Sequence, residues 1–135
     1  MEPKPSILVV EDDRGVYDQL CTLLDKDAYT LAYAGNTEEA KEKISLFTFD
    51  IILLDLILPG TSGLEILDSM KSTIKNSPKI ILMTSYASPE MEMMAIEMGA
   101  IACIFKPLTK EKVDEALKRY FTAKQLSGEN PRNKY

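Results

Sequence analysis

Three apolar runs in this chain each end in charge. Ile7-Leu8-Val9-Val10 ends in Glu11-Asp12, Ile51-Ile52-Leu53-Leu54 in Asp55, and Ile101-Ala102-Cys103-Ile104-Phe105 in Lys106. Short runs of this kind, rich in Ile and Val and bounded by turn residues, read as strands buried on both faces, which suits a parallel sheet. An open parallel sheet binds its ligands in the crevice outside the carboxyl ends of its strands. Side by side, the three runs would bring three carboxylates and one ammonium to one place.

Five strand-like segments alternate with five helix-like ones. Val16, Leu20, Leu23 and Leu24 recur at helical spacing through about Asp27, and Ala28-Tyr29-Thr30-Leu31-Ala32-Tyr33 reads as a second, weaker strand. Asn36 or Thr37 then caps a helix through Ala40, Ile44 and Phe47. After the third strand, Pro59-Gly60 turns into a helix carrying Leu64, Leu67, Met70 and Ile74, broken at Ser77-Pro78. Lys79-Ile80-Ile81-Leu82-Met83 is the fourth strand. Ser88-Pro89-Glu90 is a helix start and Gly99 a stop. The fifth strand reaches Lys106-Pro107, and Thr109 opens a helix with Val113, Leu117, Tyr120 and Phe121 inward. Strict alternation with short connections means parallel pairing, right-handed crossovers and helices on both sheet faces.

A chain of 135 residues fits one domain. Its net charge of −5 argues against a nucleic-acid-binding surface on this domain. No apolar stretch reaches membrane-spanning length, and Met1-Glu2-Pro3-Lys4-Pro5-Ser6 leads into a strand without a signal-peptide pattern, so a cytoplasmic location is expected. Cys21 and Cys103 lie in apolar periodic segments and are expected as buried reduced thiols. The absence of histidine removes His-dependent triads, most zinc sites and an internal phosphohistidine relay. Met91, Met94 and Met98 follow helical spacing and are expected in the core, whereas Met93 falls off that stripe.

Two carboxylates about 4 Å apart repel by around 4 kcal/mol at an effective dielectric near 20. Three together call for a cation among them. Oxygen ligands without His or Cys suit a hard ion, and a few carboxylates plus water suit Mg²⁺ better than Ca²⁺. Lys106 adds a mobile positive charge able to contact a carboxylate or a phosphate. Thr84 offers a hydroxyl at the end of the fourth strand. Carboxylate nucleophile, Mg²⁺, hydroxyl and ammonium are the parts needed for phosphoryl transfer to an aspartate. Taken singly, each has a plainer reading: Glu11-Asp12-Asp13 as a helix cap, Asp55 as a turn former, Thr84 as a strand-end hydroxyl, Lys106 as a solvated charge. Their shared placement at strand ends favours the joint reading.

These residues also carry a family resemblance. Val9-Val10-Glu11-Asp12-Asp13, Leu53-Leu54-Asp55-Leu56-Ile57-Leu58-Pro59-Gly60 with Gly63, Met83-Thr84-Ser85-Tyr86, Gly99-Ala100 and Lys106-Pro107 resemble, in order and spacing, the receiver domain of two-component response regulators, over residues 6–123. The resemblance implies a flavodoxin-like (CheY-like) α/β fold, a doubly wound five-stranded parallel sheet of order 2-1-3-4-5 flanked by five helices. It implies a receiver unit at 1–123, with 124–135 a polar tail, disordered or a linker stub. Asp55 would be the phosphoacceptor. Asp12 would bind Mg²⁺ directly and Glu11 largely through water, with Asp55 and the Ile57 carbonyl completing the metal ligands. Thr84 and Lys106 would contact the phosphoryl oxygens, Asp13 would lie outside the metal shell, and Lys106-Pro107 would be cis. The donor would be a sensor histidine kinase or a histidine phosphotransfer protein. An effector domain or downstream protein would read the face of the fourth helix, fifth strand and fifth helix, and a homodimer is open.

The chain departs from the family pattern in two places. The family usually carries Tyr or Phe three residues before the lysine, where this chain has Cys103, with Phe105 on the same side of the strand and nearer the site. This implies weakened or rewired coupling to the output face. Ile57 and Tyr86 stand beside the site where acidic or amide groups would orient water, which implies a long-lived phosphoryl group. Three rival readings are a phosphorylation-independent pseudo-receiver, a flavodoxin-type FMN binder and an aspartyl-phosphate phosphatase. The acids after the first strand disfavour the second, and Ile57 in place of a second Asp disfavours the third.

Overall fold

Leu8 and Val10 face one side of the first strand and Ile7 and Val9 the other, and all four are fully buried. That two-sided burial is why the run is unbroken in apolar residues. The computed structural model describes residues 4–58, 61–62, 78–86 and 88–126. Its strands are β1 (Ser6–Val10), β2 (Thr30–Ala34), β3 (Ile51–Asp55), the two-residue β4 (Ile57–Leu58) and β5 (Thr61–Ser62), β6 (Lys79–Thr84) and β7 (Ala102–Phe105). The helices among the described residues are α1 (Arg14–Leu23), α2 (Thr37–Leu46), α3 (Pro89–Glu97) and α4 (Lys110–Leu126). The expected fourth and fifth helices are thus α3 and α4. The expected third helix, the Pro59-Gly60 turn, Gly63 and residues 127–135 lie outside the described residues.

The main sheet is parallel, in the order β2-β1-β3-β6-β7, and β4 and β5 form a separate antiparallel ribbon. Counted along the main sheet, this is the expected order 2-1-3-4-5. Alternate strand residues divide two cores. Leu8, Val10, Ile52, Leu54, Ile80 and Leu82 pack with Ala40 of α2 and Ala95 of α3. Ile7, Val9, Leu53, Ile81 and Met83 pack with Leu20 of α1 and with Val113, Leu117 and Tyr120 of α4.

Local capping sets where the helices start. Asp13 caps α1, accepting from the Gly15 N–H at 2.8 Å. Asn36 caps α2 through the Glu39 N–H, and Glu39 returns a carboxylate oxygen to the Gly35 N–H at 2.9 Å, a reciprocal arrangement close to a capping box. Ser88 caps α3 ahead of Pro89, and Gly99, at φ 99°, ends that segment in a conformation suited to glycine. Lys106-Pro107 is cis.

Several expectations need correction. The first helix stops at Leu23, not near Asp27, because Leu24 turns extended and the Asp25 carboxylate accepts from the Asp27 N–H at 2.9 Å. Phe121 is exposed: the buried stripe of α4 is Val113, Ala116, Leu117 and Tyr120, and Phe121 packs edge-on to Tyr120 outside it. Met91 and Met98 pack on the core, but Met94 sits at the edge of that stripe and is exposed. Cys21 and Cys103 are unpaired thiols, half-buried instead of buried. The last helix continues through Leu126, past residue 123.

Candidate functional site

Strand register builds the site. Val10 pairs with Leu54, Asp55 with Met83 and Thr84 with Phe105, so Glu11, Asp55, Thr84 and Lys106 fall along one edge of the sheet. This edge includes the switch point between β1 and β3, where connections leave in opposite directions. Backbone bonds hold the rim: Glu11 N–H to Ala34 C=O at 3.0 Å, Leu56 N–H to Met83 C=O at 2.9 Å, and Lys106 N–H to Thr84 C=O at 2.8 Å.

Lys106 Nζ bridges two acids, donating to Glu11 Oε1 at 2.5 Å and to Asp55 Oδ2 at 3.0 Å. Asp55 Oδ1 accepts from the Ile57 N–H at 2.9 Å. Glu11 and Asp55 are buried and Asp12 is exposed, and the three carboxylates offer oxygens within 4.8 Å of one another. Three carboxylates against one ammonium leave two negative charges when all are ionised. Burial, followed by hydrogen bonding to Asp55, pushes the Glu11 carboxyl from 4.5 up to about 8, against the pull of Lys106. Burial draws the Lys106 ammonium down, but its bonds to Glu11 and Asp55 outweigh this and the net shift is upward. Glu11 Oε2 is buried and meets no hydrogen-bond partner among the described residues. An unpaired oxygen here is costly unless a cation or solvent meets it.

Thr84 is buried, and its hydroxyl accepts from the Tyr86 N–H at 3.1 Å. Ile57 and Tyr86 present exposed side chains. Asp13 serves as the cap of α1. Glu11, Asp55 and Lys106 are therefore in direct contact, Asp12 completes the acidic cluster, and Thr84 stands at the neighbouring strand end.

Cys103 packs half-buried against the α2–α3 core, and burial raises its thiol pKa. Cys103 and Phe105 both line a groove of about 250 Å³ between α3 and α4, whose walls include Glu92, Ile96, Lys112 and Arg119. Two further cations take part, neither marked by a strand-end position. Lys112 Nζ donates to the carbonyls of Phe105 and Pro107, each at 3.0 Å, and so braces the segment carrying Lys106. Arg14 lies over the rings of Tyr17 and Tyr33. An Arg with Tyr three residues on, opening a helix after an acidic run, was the available signal for the second.

Comparison with known proteins gives the family. Residues 7–118 match the response regulator receiver domain family. The chain is 32% identical over 118 residues to "Sporulation initiation phosphotransferase F" of Bacillus subtilis, covering 87% of this chain and 94% of that protein. It is 34% identical over 121 residues to "Transcriptional regulatory protein ZraR" of Klebsiella oxytoca, covering 90% of this chain but 27% of the relative. It likewise spans 48% of "Sensory transduction protein LytT" of Bacillus cereus. A CheY-like receiver domain structure from Methanospirillum hungatei superposes with a TM-score of 0.80 at 28% identity, over 93% of this chain and 100% of that one. With its sheet order, its acidic rim and these relatives in agreement, the chain belongs to the response-regulator receiver-domain family.

Proposed function

We propose that Asp55 accepts a phosphoryl group from a phosphohistidine donor, with Mg²⁺ held at Glu11, Asp12, Asp55 and the Ile57 carbonyl. The observation that carries this reading is Lys106 bridging Glu11 and Asp55 while Glu11 Oε2 stays buried and, among the described residues, unpartnered. The charge of two that remains once all three carboxylates are ionised, and the all-oxygen donor set, fit a hard divalent ion. Bound there, the ion would neutralise the carboxylates and the charge that develops on the transferring group.

Asp55 enters the reaction already oriented, one oxygen fixed by the Ile57 N–H and the other by Lys106. An Asp55 oxygen forms the O–P bond as the donor's N–P bond breaks, and the bonding pair leaves on the imidazole nitrogen. Lys106 moves from Asp55 to a phosphoryl oxygen while its second contact, to Glu11, keeps it at the rim. The Thr84 hydroxyl rotates from the Tyr86 N–H toward the same group. The added charge, about −1.5 to −2, biases a two-state surface. The domain catalyses only its own phosphorylation and dephosphorylation.

The partners in this reading are a sensor histidine kinase or phosphotransfer protein and an effector reached through α3, β7 and α4. Its setting is the cytoplasm. The receiver unit takes in α4 to its end at Leu126. Ile57 and Tyr86 flank the site without orienting an attacking water, so the phosphoryl group is long-lived. Cys103 gives a rewired link to the α3–β7–α4 face. An ordinary rotamer-gated rearrangement of that face with a phosphoryl mimic would refute that link.

The test is Mg²⁺-dependent labelling by acetyl phosphate. The wild type takes label and Asp55→Asn takes none. Equal labelling of both proteins, or none of either, overturns the reading.

A further inference from the structure

Arg14 is the one basic residue of α1, and it stands at the helix start, where a cation meets the positive end of the dipole and is disfavoured. Its surroundings offset this. The guanidinium carbon lies 5.3 Å from the Tyr17 ring centroid and 5.0 Å from that of Tyr33, and the two rings are 4.6 Å apart. Nε also approaches Asp18 Oδ1 at 3.6 Å. Tyr33 is itself held: its carbonyl receives the Lys43 ammonium, and a Cβ at Gly35 would come within 3.3 Å of its hydroxyl. The stack fixes a guanidinium that would otherwise sweep through solvent.

The stack borders the site. β2, which carries Tyr33, is the strand beside β1, whereas Lys106 arrives from β7 across the sheet. Burial raises the Tyr33 hydroxyl pKa, Arg14 opposes the rise, and Glu11, Glu39 and Asp12 add to it, so the ring lies in the field of the acidic cluster. On this side the exposed charges are mostly negative: Asp12, Asp13, Asp18 and Glu39. A donor phosphoryl group, itself anionic, is repelled there, and Lys106 is already committed to Glu11 and Asp55.

We propose that Arg14, held against Tyr17 and Tyr33, is a positioning residue that draws the anionic phosphoryl donor to the rim from the β2 side. This rests on the Asp55 reading above. Arg14 acts on arrival of the donor, not on the phosphorylated product.

The experiment measures the second-order rate constant of labelling by acetyl phosphate with Mg²⁺ at about 0.01 M and about 1 M salt, where the screening lengths are about 30 and 3 Å. At low salt Arg14→Ala is expected to be slower by about fivefold and Arg14→Lys, which keeps the charge without the planar stack, by an intermediate factor, with both gaps closing at high salt. The lifetime of the phosphorylated form is expected to be the same in all three proteins. Labelling of Arg14→Ala at the wild-type rate overturns the proposal. So does a slowing that is equal at both salts, since that marks a structural role. If wild type takes no label, the Asp55 reading fails and this proposal falls with it. If wild type is labelled and Arg14→Ala matches it, only this proposal fails.

Discussion

Glu11 should dominate the pH dependence of stability when no divalent cation is present. In the folded protein its carboxyl keeps its proton up to about pH 8, and when unfolded it releases it near 4.5. Unfolding therefore releases a proton throughout the interval between these values, and stability falls as pH rises across it. The chain has no histidine, so no other side chain with an ordinary pKa titrates between about pH 5.5 and 8. One proton over two pH units, at about 1.4 kcal/mol each, amounts to about 3 kcal/mol. In a domain of this size that corresponds to roughly 10 °C in Tm. The assay is thermal unfolding in EDTA at about pH 6, 7 and 8 for wild type and Glu11→Gln. Wild type should lose stability over this range, while Glu11→Gln, which keeps a polar group of the same shape without the titration, should stay nearly flat. Mg²⁺ should flatten the wild-type profile and leave that of Glu11→Gln unchanged. Parallel slopes for the two proteins in EDTA would refute the reasoning.

Other perturbations follow from the same geometry. Lys106→Met removes the cation between Glu11 and Asp55 and should cost about 2 kcal/mol near pH 8 without Mg²⁺, less near pH 5.5, as read from urea midpoints. An equal cost at both pH values would contradict the ion-pair account. Ser88→Ala deletes the α3 cap and should cost about 1 kcal/mol in the same assay, against no change if the cap is idle. Ile57→Asn and Tyr86→Glu place polar groups beside Asp55 and should shorten the phosphoryl lifetime by about an order of magnitude or more. An unchanged decay rate would remove these side chains from the explanation.

The strands were legible because burial on both faces leaves Ile, Val and Leu at every position, as in Ile7 to Val10 and Ile51 to Leu54. The site was legible because parallel strands end together, so charge after an apolar run marks one rim. The difference in burial between Glu11 and Asp12 is not legible. They are adjacent and chemically alike, yet one is fully buried against Lys106 and the other exposed, a difference set by which way each leaves the end of β1. Helical periodicity alone also failed at stripe edges. Met94 and Phe121 have the right spacing but sit one step around the helix from the residues that reach the sheet. The end of α1 depended on an Asp25 turn that competes with helix, a local choice that apolar spacing does not encode. Arg14 is not legible from spacing alone because its meaning depends on Tyr33, which is distant in sequence and reached only through the pairing of β2 with β1.

The most direct measurement locates the label. The protein is treated with acetyl phosphate and Mg²⁺, the acyl phosphate is reduced with borohydride, and the peptides are mapped by mass spectrometry. The reduced residue is expected at position 55, and EDTA abolishes the label. Modification at Glu11 or Asp12, or labelling of Asp55 that persists without a divalent cation, would contradict it.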